Sequence, residues 1–187
     1  MRYSLAFLLA AAAFAAGSVQ AQPVPVESRS SNQKSDWELE QERLNWKESG
    51  IKLPAYPKTE ELVEFFVSGA TNFRFYIDPA SVAPGPDGVV RYTLIARSPS
   101  GVANVSFEGI RCTTNSYKLY ALGNEGRWSV RESEWRAIEP RSVQRWHLEL
   151  RTRYFCPGNV PIYTAAEGVA FLRRGGYTVG EDPARGR

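Results

Sequence analysis

The sequence predicts an α+β fold: a single domain with one antiparallel sheet of about five or six strands, two or three peripheral helices and one disulfide. Short segments that alternate apolar and polar residues recur between residues 62 and 130, separated by turns rich in glycine or proline. Strands joined by such short turns pair antiparallel. Helical patterns stand before and after this stretch. The globular domain is therefore expected to cover residues 36–174.

Residues 1–21 are predicted to be a cleavable signal peptide. Arg2 precedes an apolar run over residues 5–16, which is shorter than the ~20 residues that a membrane-spanning helix needs. The leader ends with two small residues two positions apart, Val19 and Ala21. This small-x-small pattern predicts cleavage before Gln22.

A buried apolar helix is the alternative for this leader. The polar stretch 22–35, predicted to be a flexible linker, would separate such a helix from any core. No cysteine lies near the cleavage site, which argues against a lipoprotein, and no second apolar stretch reaches membrane-spanning length. We therefore expect a periplasmic protein that is not a lipoprotein and has no membrane span.

The first predicted helix covers residues 36–49. Ser35 or Asp36 can cap it, acidic residues fill its first turns, and Gly50 follows as a stop signal. Prolines at positions 54 and 57 then force an extended backbone.

Six segments have the composition of strands. The first is ambiguous between helix and strand, and its phenylalanine and valine content favours a strand. The second is predicted to be half-buried and to end at Asp78, and the third and fourth form the clearest hairpin. The predicted strands are residues 62–67, 73–77, 89–97, 102–112, 117–122 and 127–130.

Two further helices are predicted in the last third of the chain. Pro140 opens one that runs towards Cys156 and that Pro157 stops. The other covers residues 164–174, because it begins with a Thr-x-x-Glu capping box and a glycine follows it. The tail from residue 175 to residue 187 is predicted to be disordered.

Charge and cysteine content limit the function classes. The net charge of +3 at pH 7 is too small for the concentrated basic surface of a nucleic-acid-binding protein. Cys112 and Cys156 are an even pair in a chain with an export signal, which predicts a disulfide. The chain-entropy model assigns a bridge over so long a loop roughly 4 kcal/mol. Their wide separation argues against a redox-active Cys-x-x-Cys site.

The sequence lacks the patterns of common catalytic and metal sites. His147 is the only histidine, and no Gly-x-Ser-x-Gly motif accompanies it, so we interpret it as a surface or partly packed residue. One histidine and two paired cysteines cannot form a zinc site. Phosphate-binding and dinucleotide-binding loops are absent. No catalytic residue, metal or cofactor is therefore predicted.

Two clusters remain as candidates for binding. Glu108 is predicted to pair with Arg91 across neighbouring strands, and together with Arg111 these side chains could instead receive a carboxylate or a strand of a partner. Trp128 and Trp135 stand near two glutamates, a mixture that glycan-binding and glycan-cleaving clefts use. The alternative for these tryptophans is a place in the core beside a polar loop.

Several motifs, taken together, resemble a known family. In chain order they are LPAYP at 53–57, FRFYIDPASV at 73–82, DGVVRYTLIARSPSGVANVSFEGIRC at 87–112, YALG at 120–123, and a second cysteine before Pro157. Over about residues 36–157 the chain resembles the exported proteobacterial family named after the cryptic neisserial protein. The resemblance carries over no catalytic residues, and it implies an envelope role, with type IV pilus assembly or stability as one candidate.

Three function classes follow. The first is an exported, non-catalytic envelope protein that binds another envelope protein, by strand addition to a sheet edge for example. The second is an enzyme acting on cell-wall glycan through Glu132 or Glu134. The third is a small-ligand carrier, which would require a pocket of about 300 Å³ or more lined by tryptophan and tyrosine side chains.

Overall fold

A computed structural model of the chain describes residues 35–140 and 144–177. The predicted signal peptide, the predicted linker up to residue 34 and the predicted tail from residue 178 lie outside the described residues. None of the helices in the described ranges is long and apolar enough to cross a bilayer.

Helix α1 covers Asp36–Asn45 and ends four residues earlier than predicted. A reciprocal cap opens it. The backbone N–H and the hydroxyl of Ser35 both donate to the carboxylate of Glu38 at 2.8 Å, and the N–H of Glu38 donates back to the Ser35 hydroxyl.

The predicted antiparallel sheet is confirmed, with seven strands among the described residues. The first six lie side by side in sequence order, because short turns join each strand to the next. The short seventh strand pairs with the other end of the fifth. The strands are β1 Val63–Phe65, β2 Arg74–Pro84, β3 Val89–Arg97, β4 Ala103–Arg111, β5 Ser116–Asn124, β6 Arg127–Val130 and β7 Arg136–Ala137.

Two helices follow the sheet. Helix α2 covers Arg145–Glu149 and continues as a π-helical segment, Leu150–Phe155. Helix α3 covers Ala165–Arg174, and Thr164 accepts the predicted capping bond from the N–H of Glu167. The glycine that follows α3 has a φ of 83°, the left-handed conformation that favours glycine at a helix end. Short 3₁₀ turns lie at Thr59–Glu61 and Pro157–Asn159.

Both faces of the sheet are covered. The helical face, which carries Tyr92 and Leu94 of β3, packs against α2, its π-helical extension and α3. The outer face carries Tyr76 and Ile95 and is covered by the extended segment that contains Tyr56. The prediction of a half-buried second strand was therefore wrong, since Tyr76 is only 8% exposed. Strand β2 also continues through an irregularity after Asp78 instead of ending there.

The predicted disulfide between Cys112 and Cys156 is confirmed, with an S–S distance of 2.08 Å. Cys112 directly follows β4, and Cys156 directly follows the π-helical extension of α2. The bridge thus ties the end of β4 to the end of this helix on the helical face.

The end of the domain differs slightly from the predicted boundary. The N–H of Gly176 donates to the carbonyl of Phe171 at 2.8 Å, and the N–H of Tyr177 donates to the carbonyl of Arg153 at 2.9 Å. The ring of Tyr177 also contacts that of Phe171. Residues 175–177, predicted as the start of the tail, are therefore bonded to the domain.

Candidate functional site

A pocket of about 890 Å³ lies on the helical face, between the middle strands, the loop over residues 67–73 and the start of α2. Successive side chains of a strand point to opposite faces of the sheet, so the apolar side chains of β2, β3 and β5 that line this pocket share one face. Its apolar wall includes Phe73, Phe75, Leu94, Leu119, Leu122 and Trp146.

The pocket wall also contains a buried pair of titratable groups, Glu108 of β4 and His147 of α2. Nε2 of His147 lies 2.8 Å from Oε2 of Glu108, and the two residues are 2% and 6% exposed. The hydroxyl of Tyr92 donates to the same oxygen at 3.0 Å, and the hydroxyl of Ser106 donates to the other at 2.8 Å. Three donors thus surround one carboxylate.

The surroundings of Glu108 keep it ionised at neutral pH. Burial alone would raise its pKa, but the charge and hydrogen bond of His147, with the hydroxyls of Ser106 and Tyr92, outweigh burial and lower the pKa. Burial and the neighbouring carboxylate raise the pKa of Tyr92 well above its usual value, so its phenol remains a donor. An ionised carboxylate only accepts hydrogen bonds, and Nε2 of His147 therefore carries a proton.

The other side of His147 is held by stacking rather than by hydrogen bonds. The ring of Tyr117 lies 3.7 Å from the imidazole at an angle of 19°, and its hydroxyl donates to Gln144 at 2.8 Å. Nδ1 of His147 and Nε1 of the adjacent Trp146 are buried and have no hydrogen-bond partner among the described residues.

The predicted ion pair between Arg91 and Glu108 was wrong, because the two side chains lie on opposite faces of the sheet. In the register of β3 and β4, Glu108 stands opposite Tyr92, and Arg91 stands opposite Gly109. Successive side chains of a strand alternate between faces, so Arg91 points to the outer face. It pairs there with Asp87, at 2.7 Å and 3.2 Å.

Asp87 and Arg91 belong to a larger charged cluster on the outer face. Glu48 lies 3.7 Å from Arg91, and it accepts from Lys118 at 2.9 Å and from the hydroxyl of Tyr120 at 2.6 Å. Burial alone would raise the pKa of Asp87, but its bonds to Arg91 and to backbone N–H groups lower the pKa. Nε of Arg91 stays unpaired within the described chain. This cluster fastens the segment after α1 to the sheet.

The remaining predicted binding residues pack within the domain. The guanidinium of Arg111 lies 3.7 Å from the ring centre of Trp46, which in turn meets Trp135 edge-on at 5.9 Å. Trp128 contacts Tyr56 at 5.3 Å, and its indole N–H donates to a backbone carbonyl at 2.9 Å. The structure thus places both tryptophans in packing contacts, as the alternative reading of the sequence expected.

Of the residues that the sequence analysis considered for binding or glycan cleavage, two line the pocket and the others lie elsewhere. Those at the pocket are Glu108 and Glu134, and those outside its wall are Arg91, Arg111, Trp128, Glu132 and Trp135. The residues that the structure describes contain no group of three or more histidine, cysteine, aspartate or glutamate side chains able to hold a metal ion.

Sequence reasoning missed His147, which is buried rather than superficial. One signal could have found it. Glu108 falls between Ser106 and Ile110, in the phase of β4 that faces the core. A carboxylate in a buried phase requires a buried partner. The single histidine of the chain, on a helix with apolar neighbours, was a candidate for that partner.

Comparisons with known proteins agree with the resemblance noted from the motifs. The model of the CNP1-like family matches residues 41–173, a range that includes every residue of the pocket wall. Cryptic neisserial protein 1 of Neisseria gonorrhoeae (strain ATCC 700825 / FA 1090) is 29% identical over 137 residues, which cover 64% of this chain and 68% of that protein. No solved structure matches this chain.

Proposed function

This chain belongs to the CNP1-like family, and we propose that it is an exported, non-catalytic protein of the bacterial cell envelope that holds a small, mainly apolar ligand in the pocket of its helical face. The disulfide supports an oxidising compartment. Together with the predicted signal peptide, it favours the periplasm.

The pocket carries this proposal. Its volume of about 890 Å³ falls within the range of about 300–1,000 Å³ that is usual for small-molecule sites. Such sites combine an apolar and aromatic wall with a few polar groups. Here the wall provides phenylalanine, leucine and tryptophan side chains, and the polar groups come from the neighbourhood of Glu108 and His147.

The hydrogen bonds of two serines on the pocket wall argue against a serine nucleophile at those positions. A serine nucleophile needs a hydroxyl that donates to a histidine base. Two serines of the wall donate elsewhere: Ser106 to Glu108 at 2.8 Å, and Ser133 to the carbonyl of Leu119 at 2.6 Å. Neither hydroxyl is therefore directed at His147.

Titration with N-phenylnaphthylamine, an uncharged dye that becomes fluorescent in apolar sites, tests the proposal. Ala96 lines the pocket, and Ala103 is exposed on the neighbouring strand, so Ala96→Phe and Ala103→Phe form a matched pair. The unchanged protein and Ala103→Phe should bind the dye saturably, and Ala96→Phe more weakly, because the added ring occupies part of the pocket. Circular dichroism checks the fold, and Leu122→Trp at the partly exposed side provides a second blocked variant.

Two results would contradict the proposal. One is the absence of saturable dye binding to the folded, unchanged protein. The other is equal affinity in both blocked variants and in Ala103→Phe, which would mean that the dye binds at a different place.

The other function classes stay predictions. Binding of an envelope protein, including one of the pilus machinery, is tested by crosslinking the tagged protein in cells and identifying reproducible partners. Glycan cleavage is tested by replacing Glu132 and Glu134 with glutamine, which should abolish any turnover of cell-wall glycan that the protein shows.

A further inference from the structure

The polar groups at the accessible part of the pocket wall differ in charge from those at its buried part. The carboxylate of Glu108 is buried, and it is hydrogen-bonded to Tyr92, Ser106 and His147. Two arginines, Arg136 of β7 and Arg145 of α2, line the same pocket and are exposed. They come from separate elements of the chain and meet at one cavity.

These two guanidinium groups are available to a ligand. Arg145 has a loose contact with Glu149 at 4.0 Å, which is the limit for an ion pair. The ion pairs found among the described residues do not include Arg136. One exposed carboxylate, that of Glu134, lies on the same wall and carries the opposite charge. The accessible charge of the wall is therefore two guanidinium groups against one carboxylate.

From this arrangement we infer that the ligand is an amphiphilic acid: an unbranched or aromatic apolar body with one carboxylate, the body in the apolar part of the pocket and the carboxylate at Arg136 and Arg145. The inference rests on the proposed function, because it names the ligand of the same pocket. Guanidinium groups bind carboxylates through paired N–H donors, a geometry that a neutral head group cannot fully use.

The apolar part of the pocket supports the other half of the ligand. Phe75 stacks on Trp146 with ring centres 5.4 Å apart, and Leu94 and Leu119 lie on the same wall. Each methylene that enters such a site contributes about 0.8 kcal/mol, or about a four-fold gain in affinity. A straight-chain acid should therefore bind more tightly as its chain grows, until the pocket is filled.

Competition against bound N-phenylnaphthylamine tests the head group. The competitors are decanoate, decanol and decyltrimethylammonium, which share one chain and differ in charge. Decanoate should displace the dye at about a three- to ten-fold lower concentration than decanol, and the cation should be the weakest. At about 1 M salt the advantage of decanoate over decanol should shrink, since screening weakens exposed charge pairs.

Variants of the arginines identify the groups responsible. Arg136→Gln and Arg145→Gln should each reduce the preference for decanoate over decanol, taken as the ratio of the two displacing concentrations within the same variant. Arg127→Gln is the matched control, because Arg127 is 83% exposed in its side chain and lies outside the pocket wall. Octanoate should bind about sixteen-fold more weakly than decanoate, which has two more methylenes.

The possible failures are distinguishable. If the dye binds in the pocket but decanoate and decanol compete equally, or the cation competes best, the amphiphilic-acid inference is wrong and the proposed function stands. If the head-group preference persists in both arginine variants, the assignment of Arg136 and Arg145 is wrong. If the dye shows no saturable binding at all, the proposed function itself fails.

Discussion

Two buried charged clusters lie on opposite faces of the same pair of strands, and their surroundings differ. On the outer face, Asp87 and Arg91 form a two-contact ion pair beside Glu48, with backbone N–H groups completing the bonds of Asp87. On the helical face, Glu108 and His147 border a pocket of about 890 Å³. Each cluster contains one buried nitrogen without a partner among the described residues, Nε of Arg91 and Nδ1 of His147.

This difference separates a cluster that only joins segments of the chain from one that also borders a pocket. The outer cluster joins the segment after α1 to the turn before β3, since Ser49 and Trp46 both donate to Asp87. The pair on the helical face likewise joins α2 to β4, but it lines the pocket, and Asp87 and Arg91 do not. Perturbed titratable groups beside a cavity are typical of functional sites, so our proposal places ligand binding on the helical face, whereas the outer cluster holds segments of the chain together.

Removal of the carboxylate on the helical face should have the largest effect. Glu108→Ala leaves His147, Ser106 and Tyr92 as buried donors without their acceptor, and should lower the free energy of unfolding by about 3–5 kcal/mol. Urea denaturation of the oxidised protein measures this. Glu108→Gln, which keeps an acceptor oxygen, should cost less. A loss below about 1 kcal/mol in Glu108→Ala would mean that the pair is not buried as described.

Removal of the cation on the outer face should have a smaller effect. In Arg91→Met, Asp87 keeps backbone donors and Glu48 keeps Lys118 and Tyr120, so the expected loss of stability is about 1.5–3 kcal/mol. The affinity for N-phenylnaphthylamine should not change. A loss of dye binding in this variant, with the fold intact, would undermine the division of roles between the two faces.

Acid should weaken both clusters. The pKa of Glu108 is lowered from 4.5 and that of Asp87 from 3.8, so the stability they contribute is present above these values and is lost as the pH falls through the lower, folded-state pKa values. Burial raises the pKa of Asp78, which acts in the opposite direction. Denaturation between pH 6 and about pH 3 should show a decline that is shallower in Glu108→Gln. Parallel declines would contradict the lowered pKa of Glu108.

The smallest effect is expected at an exposed ion pair. Arg74 and Glu64 form hydrogen bonds across β1 and β2, but their side chains are 65% and 44% exposed. Arg74→Ala should therefore change the free energy of unfolding by about 0.5 kcal/mol, in the same urea assay. A loss of stability as large as that in Glu108→Ala would show that solvent exposure does not explain the different strengths of the Arg74–Glu64 and Glu108–His147 pairs.

Local patterns in the sequence account for most of the fold. The hairpin of β3 and β4 follows from alternation and a Ser-Pro-Ser-Gly turn, and the start of α3 from a capping threonine. The sequence did not predict the end of α1 at Asn45 or the continuation of β2 past Asp78. Helix and strand ends depend on the packing of the neighbouring residues as well as on local sequence signals.

The candidate site was less predictable than the fold. Glu108 was singled out from the sequence, but with the wrong partner, because alternation was not applied to the register of β3 and β4. His147 lies 39 positions from Glu108 in the chain, and no local pattern connects them. The pocket requires side chains from strands, a loop and a helix at once.

The sequence by itself determined the antiparallel sheet, the helix caps, the pairing of Cys112 with Cys156 and the family, because each depends on short-range patterns or on an even cysteine count. Only the tertiary structure decided which charges are buried together and where a cavity remains. Burial and electrostatic pairing depend on distances across the fold, and those distances are set when the helix carrying His147 packs onto the sheet.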